Sequence, residues 1–309
     1  MKRFKNILMV AKDRKYDRKS LHRAVELAER NKAKLNILEV IEIPEKEILR
    51  LDAKLRRKSL KELFIQERKV AINIFLREEN ASPDHVDVVF GIPFITIIQH
   101  VQKHGFDLVI KAAEGKGGLK EKLFGTTSLH LMRKCPCPTW ILKPGRIKGY
   151  KKILAAVDPI EQDPVRGSLN RTIMELATSL AEIEQAELHV LHAWQFLEES
   201  LLVNRIGMSR QEVNTLVRQE KELHRKALEE LLLQHPTSAA RNSHLLRGNP
   251  GELIPKYTEE NRMDLVVMGT LSRQGVAGLL IGNTAEQVIN QINASVLTVK
   301  PEGFISPVQ

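Results

Sequence analysis

The stretch Gly269-Thr270-Leu271-Ser272, followed nine residues later by Gly282-Asn283-Thr284-Ala285-Glu286, has the residue types and spacing to hold an anion. A glycine at the end of a strand lets phosphate oxygens come close to the backbone. A Gly-Asn-Thr opening to a helix offers free amides and the positive end of the helix dipole, with side-chain donors on Asn283 and Thr284. Upstream, Asp158-Pro159 places a carboxylate after an apolar run. It can accept hydrogen bonds from a ribose or an adenine, and it can equally cap the following helix. Two Gly-x-Pro turns, Gly91-Ile92-Pro93 and Gly248-Asn249-Pro250, either admit a ligand to the backbone or simply make a tight strand-to-helix connection.

Other reactive types carry less. His100 and His104 are spaced for one helix face, but two ligands without a third do not make a metal site. His189 and His192 fall in a strand and face opposite sides, where packing or hydrogen bonding explains them. Cys135 and Cys137 flank a proline, and packing explains them better than redox or metal chemistry. There is no Ser-His-Asp order, no HExxH and no general base beside a nucleophile, so the reading leans against an enzyme.

These candidates need a scaffold, and the chain supplies it twice. Gly91 and Gly248 are separated by 248 − 91 = 157 residues, and the same spacing relates Asp107-Leu108-Val109 to Asp264-Leu265-Val266, Gly125 to Gly282, and Lys143-Pro144 to Lys300-Pro301. Each copy reads β-α-β-α-β-α-β-α-β. Strands are expected near 5–11, 34–41, 85–90, 107–112 and 138–142, and again near 151–157, 186–193, 242–247, 264–269 and 295–299. That alternation implies a parallel sheet covered on both faces, with ligands at the carboxyl ends of the strands. The helix around 45–79 is expected to pack a stripe of Leu51, Leu55, Leu60, Leu63, Ile65, Val70, Ile74 and Phe75 under a charged face.

The length, 309 residues, suits two domains, expected at 1–144 and 150–301. With 42% hydrophobic and 28% charged residues the chain can build real cores. The net charge of +10 is dispersed, without interleaved aromatics to stack bases, so nucleic acid is not an expected partner. Two closely spaced cysteines and no long apolar run point to a reducing cytoplasm and to no membrane partner.

The run from Asp264 to Thr270, continued by Gly282 to Ile289, resembles the universal stress protein family. So do Ile153 to Asp158, Leu188 to Ala193, and Leu131-Met132-Arg133-Lys134-Cys135-Pro136-Cys137-Pro138-Thr139. The resemblance implies two tandem five-stranded α/β sandwiches of the adenine nucleotide alpha hydrolase-like kind. It further implies an intrachain pseudo-dimer in which strands 138–142 and 295–299 pair. A homodimer of such chains stays open, and the protein partner is not named by the sequence.

ATP-binding members carry Gly-x-x-Gly, nine residues, then Gly-Ser/Thr, with an Asp after the first strand. The implied nucleotide set is Asp158, Gly248, Met268, Gly269, Ser272, Gly282, Asn283 and Thr284, with ATP and its accompanying Mg as cofactor. Ser272 replaces the middle glycine and Asn283 the Ser/Thr. The degenerate set of the first copy is Gly91, Gly115, Gly125, Thr126 and Thr127. There Ala112 replaces the first glycine, and Lys12, with Asp13 beside it, falls at the carboxylate position. Three readings follow: a stress-response nucleotide-binding protein, a module holding another apolar or amphipathic ligand or a protein partner, and a slow ATPase or self-phosphorylating protein.

Overall fold

A computed structural model describes residues 4–12, 14–44, 46–48, 50–51, 60–113, 124–143, 149–160, 164–270 and 282–308. The chain divides into two compact units. Unit 1 takes residues up to Ile147 together with Phe304–Gln309, and unit 2 takes the stretch from Lys148 through Gly303, apart from Ala277–Leu279.

Unit 1 runs β1 (Asn6–Ala11), α1 (Arg14–Asn31), β2 (Lys34–Ile41), α2 (Leu60–Glu78), β3 (His85–Phe90), α3 (Pro93–His104), β4 (Leu108–Ala112), α4 (Thr126–Lys134) and β5 (Thr139–Leu142). Unit 2 runs β6 (Lys152–Val157), α5 (Pro164–Glu184), β7 (Glu187–Trp194), α6 (Glu199–Asn204), α7 (Arg210–Gln234), β8 (Arg241–Arg247), α8 (Pro250–Glu260), β9 (Leu265–Gly269), α9 (Asn283–Gln291) and β10 (Ser295–Val299). All ladders within each unit are parallel. The strand order is β3-β2-β1-β4-β5 in unit 1 and β8-β7-β6-β9-β10 in unit 2. The order reverses between β1 and β4 and between β6 and β9. In sheets of this kind ligands bind at the strand carboxyl ends beside such switch points.

The inner strands are largely apolar because helices cover both faces. Ile7, Leu8, Met9, Leu108, Val109 and Ile110 are buried in unit 1, as are Ile153, Leu154, Leu265, Val266 and Val267 in unit 2. Asp107 accepts from the amides of Lys5 (2.6 Å) and Asn6 (3.1 Å). Its repeat partner Asp264 accepts from those of Lys151 (2.7 Å) and Lys152 (2.9 Å). The Asp-Leu-Val repeat therefore fastens each central strand to its neighbour, which is a structural duty. Helix α7 begins with a capping box between Ser209 and Glu212.

One expectation fails. The helix near 45–79 does not bury the stripe read for it: Leu63 and Val70 are 55% and 56% exposed, and Leu51 and Ile74 are exposed too. The buried residues of α2 are Ile72, Phe75 and Leu76. Apolar residues occur on every side of this helix, so periodicity alone could not fix which side meets the sheet. Leu55 lies outside the described residues. The final residues return to unit 1, where Val308 joins a core cluster with Leu8, Val10, Leu38, Val101 and Val109.

Candidate functional site

In unit 2 the switch point lies between β6 and β9, and α9 follows β9 in the chain. Thr270, just past β9, is its hub. The Thr270 amide donates to Val299 O (3.3 Å), and Thr270 O accepts from Gly282 N (3.3 Å). The Lys300 ammonium donates to Thr270 Oγ1 at 2.6 Å, which puts a positive charge beside the helix opening. Gly282 is the N-cap of α9, with an ordinary extended backbone (φ −63°) and no side-chain cap. The first-turn amides of α9 thus have no acceptor within the helix. Gly282 is buried, Asn283 exposed and Thr284 half-buried. Asn283 and Thr284 are the first two residues of α9.

Asp158 follows β6, and α5 runs from Pro164. The backbone at Asp158 is clamped by Asn170 of α5. The Asp158 amide donates to Asn170 Oδ1 (3.1 Å), and Asn170 Nδ2 donates to Asp158 O (2.6 Å). The side chain remains accessible.

The glycines divide by cause. A methyl on Gly269 would lie 2.6 Å from Cδ2 and 3.0 Å from Cγ of Leu169, so close packing against α5 favours glycine there. Gly248 (φ +143°) and Gly91 (φ +159°) both adopt a backbone that side chains rarely take, at the strand-to-helix turn. Added methyls would meet Leu253 at 3.1 Å and Thr96 Oγ1 at 2.1 Å. The turn geometry explains both Gly-x-Pro motifs. Met268 is buried in β9, and Ser272 lies outside the described residues.

Unit 1 places its counterparts similarly but with different chemistry. Gly125 caps α4 (φ −58°) without a side-chain bond. Thr126 is exposed, and Thr127 is buried beside it. Lys12 is exposed, whereas Asp13 and Gly115 lie outside the described residues. Lys111 of β4 is 2% exposed and donates to Ala112 O (2.9 Å) and Ser128 Oγ (3.3 Å) in the first turn of α4. At the 157-residue spacing, this Lys111–Ser128 pair corresponds to Met268 and Ala285 in unit 2. Lys143, the counterpart of Lys300, lies over the Phe124 ring at 4.6 Å, and burial lowers its pKa. The positive end of α4 thus already faces a buried ammonium.

The remaining candidates resolve into packing. His100 stacks toward Phe106 and reaches Asp87 at 3.4 Å, with His104 beside it. Among the described residues, no three His, Cys, Asp or Glu side chains form a metal-holding group. Cys135 and Cys137 are buried thiols with sulfurs 3.6 Å apart. The hydrogen bond shared with Cys135, then burial, pushes the Cys137 thiol well above the usual range, which opposes thiolate chemistry.

His189 and His192 do face opposite sides of β7. His189 meets Tyr257 (2.8 Å) and His244 (3.3 Å), and His192 meets His224 (2.6 Å). Sequence reasoning missed His224, Asn170 and Lys111. For His224 and Lys111 a signal was present: a polar residue within an apolar stripe or run.

Among the described residues, no helix is long and apolar enough to cross a membrane. A model of the universal stress protein family matches residues 3–143 and again 149–300. Over 313 aligned positions the chain is 30% identical to universal stress protein E of Escherichia coli K12, covering 100% of this chain and 98% of that one. It is 26% identical to a universal stress protein E homolog of Haemophilus influenzae, covering 97% and 98%. Two crystal structures from Pseudomonas aeruginosa share 25% identity and 97% of this chain. One is a functionally unknown protein of strain PAO1 (TM-score 0.72, 94% of its length); the other is described as a putative universal stress protein of strain UCBPP-PA14 (TM-score 0.71, 95%). Two matched domains, full-length similarity and the shared fold agree: the chain belongs to the universal stress protein family, with two such domains in tandem.

Proposed function

We propose that unit 2 binds a nucleotide, ATP with Mg, and that the chain is a cytoplasmic stress-response binding protein rather than an enzyme. One observation carries the reading. The uncapped amides of α9 open at Gly282 beside Lys300, across the switch point from the accessible Asp158 carboxylate. Such an end stabilises phosphate through its amides and dipole, and Asp158 can accept from ribose or adenine. Gly269 and Gly248 shape the backbone, Met268 lines the strand, and Ser272, Asn283 and Thr284 complete the set. Isothermal titration with ATP and Mg should show saturable heat, abolished in Gly282→Trp. Absence of heat at millimolar ATP refutes the reading.

A second reading holds for unit 1. Its buried Lys111–Ser128 pair, in place of Met268 and Ala285, supports a cleft at Gly91, Gly125, Thr126 and Thr127 adapted to a ligand other than nucleotide. Native mass spectrometry of the purified chain checks this by the mass of any retained small molecule. The ATPase reading would be revived by phosphate release well above that of the Gly282→Trp control.

A further inference from the structure

His189 of β7, His244 of β8 and Tyr257 of α8 bring three donor atoms together. His189 Nδ1 lies 2.8 Å from Tyr257 Oη and 3.3 Å from His244 Nε2, and Tyr257 Oη lies 2.7 Å from His244 Nε2. The strand register explains the two imidazoles. His189 pairs with Asn242, so His244 stands two residues further along β8 on the same face of the sheet. The ring planes are 9° apart, and the centroids are 5.4 Å apart against 3.3 Å between the nitrogens, so the rings meet edge to edge through those atoms.

An ion held by imidazole nitrogen and oxygen at about 2.0–2.1 Å has neighbouring donors about 2.9–3.4 Å apart. The 3.3 Å edge between the imidazoles already falls there. The two shorter edges both run to the hydroxyl, and they lengthen when its hydrogen gives way to an ion.

An outer partner orients the first ring. His189 Nε2 lies 3.3 Å from Glu187 Oε2. A carboxylate only accepts, so Nε2 carries the hydrogen and Nδ1 turns its lone pair toward His244 and Tyr257. A carboxylate behind a metal-ligating histidine acts in this way. Lys152 Nζ, 3.9 Å from the same oxygen, shares that carboxylate. His189 is 6% exposed, whereas His244 and Tyr257 are half-buried, so the cluster sits at the margin of the core.

We infer that His189 Nδ1, His244 Nε2 and Tyr257 Oη form a binding site for a late first-row divalent metal ion, with Glu187 as the positioning residue. Imidazole nitrogens suit Zn2+ and Cu2+. On binding, the phenol O–H bond breaks, a metal–oxygen bond forms and one proton leaves to solvent. His244 carries its hydrogen on Nδ1 and gives its Nε2 lone pair to the ion. Three protein donors leave a position open to water. His192, which contacts the Val157 carbonyl, lies on the other face of β7, so the metal site does not rest on the nucleotide reading.

The full chain, stripped with chelator and dialysed, is titrated with Zn2+ by calorimetry and with Cu2+ by visible absorption. One Zn2+ should bind at this site, about 10–100-fold more weakly in Glu187→Gln and more weakly still in His244→Phe. His100→Phe, which breaks the His100–His104 pair, should keep the wild-type isotherm. Cu2+ should give a phenolate-to-metal charge-transfer band that Tyr257→Phe lacks. Glu187→Gln and Tyr257→Phe preserve shape, so they decide the matter if circular dichroism shows His244→Phe to be misfolded. No saturable Zn2+ binding, or wild-type affinity in Glu187→Gln or in a folded His244→Phe, overturns the inference. A copper complex without the band, or with the band intact in Tyr257→Phe, overturns it independently.

Discussion

Replacing Gly269 by alanine separates two explanations of that glycine. A methyl there would sit 2.6, 3.0 and 3.3 Å from Cδ2, Cγ and Cδ1 of Leu169. Three contacts with one buried side chain cannot be relieved by moving a single free end. Leu169 has to leave its rotamer or α5 has to shift. Overpacking of this kind costs about 1–3 kcal/mol. For a unit of this size, about 2 kcal/mol lowers Tm by about 4–8 °C. Leu169→Ala alone should cost about 2–4 kcal/mol through the space it vacates. In the double variant the new methyl takes up part of that space, so the two penalties should fall short of their sum by about 1–2 kcal/mol. Thermal unfolding of the four proteins, followed by circular dichroism, closes the cycle. ATP titration of Gly269→Ala adds the functional arm. If Gly269→Ala leaves Tm unchanged, or if the penalties add without coupling, packing against Leu169 is not why glycine stands there.

Asn170→Ala removes two hydrogen bonds to the half-buried Asp158 backbone. It should cost about 1–3 kcal/mol by chemical denaturation and weaken ATP binding severalfold. Asp264→Ala should destabilise by about 1–3 kcal/mol with ATP affinity unchanged, because its acceptors serve Lys151 and Lys152 at the far ends of the strands. In unit 1, Ser128→Ala alone should destabilise, whereas Lys111→Met with Ser128→Ala, which installs the apolar pair of unit 2, should recover at least that loss by thermal unfolding. Burial, then the neighbouring His189, holds His244 below its ordinary value of 6.5. Its folded state resists a proton that the unfolded chain accepts. Its contribution is therefore intact above pH 6.5 and lost as pH falls through the lowered value. A Tm-against-pH profile of His244→Phe should be flatter than wild type on the acid side.

Strand positions were legible because continuous apolar runs bounded by turns are specific to a doubly covered parallel sheet. Helix α2 was less so. With apolar residues on every side, its spacing could not say that Ile72, Phe75 and Leu76 would be buried while Leu63 and Val70 faced out. Asp158 was found as a carboxylate after a strand. Whether it capped a helix depended on where α5 began, and helix starts are weakly encoded when proline is the main signal. His224 and Asn170 escaped notice because their partners lie 32 and 12 residues away and meet them only through packing of helices on the sheet.

By itself the sequence determined the duplication, the order of elements and the turns that glycine and proline impose, since these rest on periodicity and on local backbone sterics. Only the tertiary structure decided that Gly269 answers to Leu169, that Lys111 reaches Ser128 in the first turn of α4, and that His192 of β7 meets His224 of α7. Those outcomes depend on distances between residues remote along the chain, which residue type and spacing do not specify.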